Sequence, residues 1–206
     1  SEPGDADAVL VERTRYHGSN PDAPVDCTIR YEPLDGGLIR VDVSIELALS
    51  LPSLPRVGVL LELAAGFEKL RWYGRGPHES HIDRRSGAPF GVYSGTVDEQ
   101  FVPYIMPQEN GSKCDTRWFE LSNGEKTVRF WADPLFEFSA HHVVPEDLFK
   151  CRHTPDVAHY RRAETIVCID TVQRGVGTGS CGPQTRPAYC VEPGGYRFTF
   201  FMEVRR

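Results

Sequence analysis

In the stretch Trp72-Tyr73-Gly74-Arg75-Gly76-Pro77-His78-Glu79-Ser80-His81-Ile82-Asp83-Arg84, two imidazoles and two carboxylates crowd into positions 78–83. Three chemistries fit such a set. His78, His81 and Asp83 are metal-ligating residue types, although their spacing matches no recognised zinc pattern. Glu79 and Asp83 make a carboxylate pair of the kind acid–base hydrolysis uses, provided folding sets them about 5 to 9 Å apart. Arg75, Arg84 and Arg85 offer a third use: charge-assisted hydrogen bonds that lock a long loop. That use needs nothing beyond the residues present, and it is the expectation. The glycines of the stretch lack the spacing and the following helix of a phosphate cradle.

Two further segments stand out. In Phe101-Val102-Pro103-Tyr104-Ile105-Met106-Pro107-Gln108-Glu109-Asn110-Gly111-Ser112-Lys113-Cys114-Asp115-Thr116-Arg117-Trp118, the prolines hold the backbone extended and Asn110-Gly111 makes a turn before a strand. Gly175-Val176-Gly177-Thr178-Gly179-Ser180-Cys181-Gly182-Pro183 places four glycines in eight residues, which lets main chain approach a ligand or another domain closely. Cys181 has no cationic sequence neighbour to lower its pKa, so a small side chain on a pocket wall is its expected role. Ser80, Ser112 and Ser180 lack the strand–elbow–helix setting that activates a serine. His141 and His142 are adjacent and face opposite sides of a strand. His153 and His159 read as structural or surface residues. No catalytic residue and no metal ligand is expected within the chain.

The elements that must position these segments are strands. Ile39-Arg40-Val41-Asp42-Val43-Ser44-Ile45-Glu46-Leu47 is apolar on odd positions and polar on even ones, the mark of a strand with one face in a core. Tyr196, Phe198, Phe200, Met202 and Val204 repeat the signal at the C-terminus. Further strands are expected over 26–31, 57–63, 67–73, 116–121, 127–132, 137–140, 163–170 and 186–190. Leu34-Asp35-Gly36-Gly37 and Ser122-Asn123-Gly124-Glu125 suit hairpins. Helix is scarce; 145–151, with Pro145 and two acids at its start, supports two turns at most. The segments 74–95 and 175–183 are long for plain connectors. Many short strands and few short helices imply an all-β, antiparallel sandwich. Residues 1–8 are expected to be a disordered lead and 9–206 one domain.

Composition narrows the classes. With 206 residues, 40% hydrophobic and 25% charged, the chain is neither a disordered nor a membrane-embedded one. No apolar run approaches the roughly 20 residues of a bilayer-spanning helix, and the first residues lack signal-peptide character. A cytoplasmic location and no membrane partner are expected. A formal net charge of −6 disfavours a nucleic-acid partner, since phosphate binding needs clustered cations. The six cysteines are irregularly spaced, and free thiols are expected over three disulfides in a chain of this size. Trp72, Trp118 and Trp131 each sit within a strand pattern and are expected in the core.

Taken in order, Trp72 to Ser80 with Asp83-Arg84, then Tyr104-Ile105-Met106-Pro107-Gln108-Glu109-Asn110-Gly111, then the Gly-rich segment ending at Pro183 resemble one family. They are similar to the C-terminal domain (small chain, or domain 5) of glycoside hydrolase family 2 β-galactosidases, over nearly the whole chain from about Val9. The resemblance implies an antiparallel β-supersandwich like that of galactose mutarotases. It also implies that the chain is an N-terminally shortened C-terminal piece of a retaining enzyme acting on terminal β-D-galactosides. In that family the catalytic glutamates lie in a TIM barrel outside this chain, and a divalent metal, Mg, is bound elsewhere. The implied partners are the remaining domains and the galactoside substrate.

In the family, one loop of this domain reaches the active site, and the Gly-rich segment matches it. Some members carry Trp there, stacked on the sugar beyond the scissile bond. Cys181 offers no such face, so that subsite is expected to be weaker and a lactose preference does not follow. The resemblance carries over Cys181 as a substrate-binding residue, with Ser180 and Gly182 as its backbone support. Shortening a sandwich exposes a sheet edge, and self-association of the piece is expected. Two other readings stand beside this one: a carbohydrate-binding module using exposed tryptophans, and a mutarotase-like epimerase using His81 with Glu79 or Asp83.

Overall fold

Ten strands carry the architecture, and every recorded pairing between them is antiparallel. They are β1 (Leu10–Tyr16), β2 (Val25–Leu34), β3 (Leu38–Leu47), β4 (Arg56–Leu63), β5 (Lys69–Arg75), β6 (Phe90–Thr96), β7 (Lys113–Ser122), β8 (Thr127–His141), β9 (Thr165–Gln173) and β10 (Gly195–Arg205). A single four-residue α-helix, α1 (Pro145–Leu148), and short 3-10 turns complete the described elements. The computed structural model describes residues 8–18, 20–177 and 184–206.

The long sheet runs β1-β2-β3-β10-β8-β7-β5-β6, and β9 joins β8 to β4. β8 makes this possible by changing partners midway. Its residues 127–132 pair with β10, and its residues 137–141 pair with β9. Asp133-Pro134 lies at the changeover, where Pro134 has no N–H to give a ladder. The expected strands 127–132 and 137–140 are therefore two halves of one bent strand.

Alternation builds the core between the long sheet and the β8-β9-β4 leaf. Val41, Val43 and Ile45 of β3, Phe200 of β10, Phe130 of β8, Phe119 and Leu121 of β7, and Leu70 and Trp72 of β5 point inward. They meet Val57 of β4, Val167 and Ile169 of β9, and Phe136 and Phe138 of β8. Phe119 stacks on Phe138 at 4.1 Å and on Phe130 at 4.7 Å between ring centroids. Burying each such ring contributes roughly 1.5–3 kcal/mol, which makes this stack a main stabiliser of the fold.

Three expectations need correction. Residues 186–190 are not a strand: Pro187–Tyr189 form a 3-10 turn, consistent with a proline that cannot donate to a ladder. The segment 74–95 is not loop throughout, because β6 begins at Phe90 and pairs with β5. Of the tryptophans only Trp72 is in the core; Trp118 and Trp131 are half-buried on the opposite face of the sheet. The two hairpins and the antiparallel β-supersandwich are observed.

Candidate functional site

The three segments singled out in the sequence meet at one end of the sandwich. β5 ends where β7 begins, and the antiparallel β4–β9 pair brings the end of β9 beside the start of β4. The long loop after β5 is anchored there by Glu79. Its carboxylate accepts hydrogen bonds from the Gly111 N–H at 2.8 Å, from Arg84 at 2.9 Å and from the Tyr104 hydroxyl. Burial pushes this carboxyl upward, but the adjacent His81 and the hydrogen bonds from Tyr104 and Gly111 prevail and hold its pKa at about 2. Ser80 adds two links: its N–H donates to the Ser112 carbonyl, and its hydroxyl accepts the Cys114 N–H. Arg75 and Arg85 both reach Asp115, closing the other side of the loop. The arginine-locked loop expected from the sequence is thus present, tied to the Asn110-Gly111 turn.

Beneath it lies a layer of buried charge that the sequence reading missed. Lys113 is 1% exposed, donates to the Gly111 carbonyl at 2.9 Å and sits over the Trp72 ring. Burial lowers its pKa to about 8. Glu137 is buried beside Cys114, and burial, reinforced by the nearby Asp170 charge, raises its pKa to about 7. Asp170 is fully enclosed and held by Arg56 at 2.6 Å, which also bonds Glu109 at 3.2 Å. Asp170 ends the wholly buried run Thr165 to Asp170, where a carboxylate needs a partner, and Arg56 supplies it from 114 residues away.

His81, 0% exposed, bonds Gln173 at the end of β9 and lies 3.5 Å from Glu79. Two residues on, Asp83 faces the stem of the Gly-rich segment and accepts the Val176 and Gly177 N–H groups. Ser180, Cys181 and Gly182 lie outside the described residues. The stems on either side are described, and Thr185 of the returning stem donates to the Gly175 carbonyl at 2.8 Å.

This arrangement positions a loop and offers little for proton transfer. A general acid or base must be able to change its charge state near the working pH, whereas Glu79 has its oxygens engaged by three donors. Two clefts among the described residues are lined elsewhere. One, of about 430 Å³, lies over Thr28, Arg30, Asp42 and Arg197; the other, of about 310 Å³, over Phe101, His141, His142 and Arg161. Neither is lined by Glu79, His81 or Asp83. His78 is exposed, His81 buried and Asp83 turned to backbone amides, so the trio does not form a metal centre. No group of three or more His, Cys, Asp or Glu suited to a metal occurs among the described residues. Five cysteines (Cys27, Cys114, Cys151, Cys168 and Cys190) are free thiols, and no helix of the described residues is long and apolar enough to cross a membrane.

On the outer face of the long sheet, Tyr73, Trp118, Trp131 and Phe201 sit opposite one another on β5, β7, β8 and β10. Their rings are already engaged. Trp131 stacks on Phe201, Arg129 covers Trp118 at 4.5 Å, and Arg117 lies over Tyr73 and Phe90. These contacts give the ladder a structural role in the sheet.

Fold and looped end together define a β-supersandwich of the mutarotase type. A solved structure from Escherichia coli K12, named as an aldose 1-epimerase, matches it with a TM-score of 0.51, covering 98% of this chain and 67% of that one. At 8% identity the likeness concerns the fold alone. The model of the beta galactosidase small chain family matches residues 4–202, and the chain belongs to that family. Among curated relatives, the beta-galactosidase of Aeromonas hydrophila is 33% identical over 172 residues, covering 81% of this chain and 16% of the relative. Those of Vibrio cholerae and Staphylococcus xylosus are 32% and 31% identical, each over 85% of this chain and 16% and 18% of theirs. The chain thus spans about a sixth of the length of these relatives.

Proposed function

We propose that this chain is the non-catalytic C-terminal domain of a β-galactosidase acting on terminal β-D-galactosides, and that its Gly-rich segment completes one wall of the sugar site. One observation carries the reading: the three segments shared with the family are hydrogen-bonded into a single frame with the stems of 178–183 at its edge. Cys181 is the residue assigned to bind substrate, with Ser180 and Gly182 as its backbone support. The reacting glutamates and the divalent metal belong to other domains of that enzyme, which are this domain's partners. Free thiols at five cysteines support a reducing, cytoplasmic setting.

An epimerase reading is less well supported, because His81, Glu79 and Asp83 line neither of the clefts described above, Glu79 is held as an anion and Asp83 is engaged by main-chain amides. The test has two arms. The purified 206-residue chain is expected to give no turnover of a chromogenic β-galactoside. In the β-galactosidase that contains it, replacing 178–183 by Gly-Gly is expected to raise the galactoside KM about tenfold, the loss of roughly 1.4 kcal/mol of binding. Turnover by the chain alone, or a KM indifferent to the replacement, overturns the reading.

A further inference from the structure

The Gly-rich segment leaves and re-enters the fold through an unusually crowded junction. On the departing stem, the Arg174 N–H donates to Pro55 and the Gly175 N–H to Tyr189, each at 2.9 Å. The next two N–H groups go to one side chain. Asp83 Oδ1 accepts from Val176 at 3.3 Å, and Oδ2 accepts from Gly177 at 2.7 Å. A carboxylate suits two successive main-chain donors because both of its oxygens accept and its charge strengthens each bond. An asparagine there keeps one acceptor and turns an N–H toward the other donor.

The glycines fit around this carboxylate. A Cβ on residue 175 would lie 2.6 Å from Asp83 Cγ, so a methyl and the carboxylate cannot share the space. Gly177 adopts φ +62°, and a Cβ there would lie 2.8 Å from the Thr185 nitrogen. Thr185 returns a bond to Gly175, so departing and returning stems are laced together. Asp83 is itself fixed to the frame: the Arg84 N–H donates to the His81 carbonyl at 2.8 Å, and His81 is keyed to Gln173 at the end of β9.

We infer that Asp83 is a positioning residue of the sugar site: by gripping the 176 and 177 amides it sets where the substrate-facing tip is delivered. This rests on the function proposed above. Asp83 touches no substrate itself and acts only through the stem. Its residue type admits a metal ligand or half of an acid–base pair, and the geometry points instead to a main-chain clamp.

The test compares Asp83→Ala, Asp83→Asn and Gly175→Ala with the Gly-Gly replacement of 178–183, all in the β-galactosidase containing this chain. Amide exchange is followed in peptides spanning 174–186 and in β7, and galactoside KM and kcat are measured alongside. Asp83→Ala is expected to speed exchange at 176 and 177 about tenfold or more, with β7 unchanged. It should also raise KM several-fold towards the loop-replaced value while kcat shifts about twofold or less. Asp83→Asn should fall between, and remains readable if the alanine variant accumulates poorly. Gly175→Ala should mimic Asp83→Ala alone and add little on top of it, since the methyl then meets no carboxylate. Unchanged exchange at 176 and 177 overturns the inference. So does an unchanged KM in Asp83→Ala when the loop replacement raises it. A loop replacement without effect on KM instead removes the proposed function, and the inference with it.

Discussion

Glu79 Oε2 accepts the main-chain N–H of Gly111 at 2.8 Å, joining two loops 32 residues apart. The same carboxylate takes Arg84 and Tyr104, so one side chain holds the frame from which the Gly-rich segment departs. Glu79→Gln is expected to cost about 2 kcal/mol, because a half-buried charged acceptor is replaced by a group that donates on one side. The pH dependence follows from its depressed pKa. The stabilisation is complete above the ordinary glutamate value of 4.5 and is lost as pH falls towards about 2. Urea unfolding at about pH 7 and pH 3 should show a gap between parent and variant that narrows in acid. A gap that widens contradicts the assignment.

Glu137 carries the opposite sign. Its pKa is raised to about 7, so the unfolded chain loses this proton more readily than the folded one. Stability from this group is highest below about pH 4.5, falls between about 4.5 and 7, and is level above. The loss is on the order of 3 kcal/mol. Glu137→Gln removes the titration while keeping an acceptor for the Gln173 N–H. The variant should match the parent near pH 5 and exceed it at pH 8 by on the order of 2 kcal/mol. Equal unfolding midpoints at pH 8 would refute this.

Gly111 has φ +73°, and a Cβ there would sit 2.5 Å from His141 Cε1 and 2.6 Å from the Gln100 carbonyl. Gly111→Ala therefore meets backbone strain and overpacking together, at an expected cost of about 3 kcal/mol. Thermal melts should place it several degrees below the parent. A Gly124→Ala control shares a positive φ, but its nearest neighbour is the Lys69 amine at 3.9 Å, and it should lose about 1 kcal/mol. Equal losses at the two sites would show that crowding at 111 is immaterial.

The outer-face ladder makes a prediction about sugar. Trp131 stacks on Phe201 and Arg129 lies over Trp118, so each indole already has one partner against its ring. Titrating galactose into the chain should release no measurable heat at millimolar concentration, whereas Trp131→Ala should lower stability by about 1–2 kcal/mol through lost stacking. Saturable heat abolished by that same substitution would favour a carbohydrate-binding module instead.

What could be read from the sequence depended on how far each residue's partners lie along the chain. β3 was legible because its alternation is uninterrupted, and β10 because Phe200 and its neighbours keep the period. β6 was not, since two of its inward positions are Gly91 and Gly95, which carry no apolar signal. Gly91 is small because the Tyr93 hydroxyl lies 3.1 Å from where its Cβ would be. The locked loop was foreseeable from arginines beside acids in one short stretch. The Arg56–Asp170 pair spans 114 residues and the Cys114–Glu137 contact 23, so neither leaves a local pattern. Asp83 was visible as a functional candidate, yet its role depends on amides 93 and 94 positions away.

A grip made on main-chain N–H groups is blind to the letters carried between its two anchor points. Because Asp83 reads only the amides of 176 and 177, its hold makes no demand on side chains further along the segment. On the function proposed above, selectivity at that segment drifts by point substitution while the scaffold stays untouched, much as a tool holder accepts different bits.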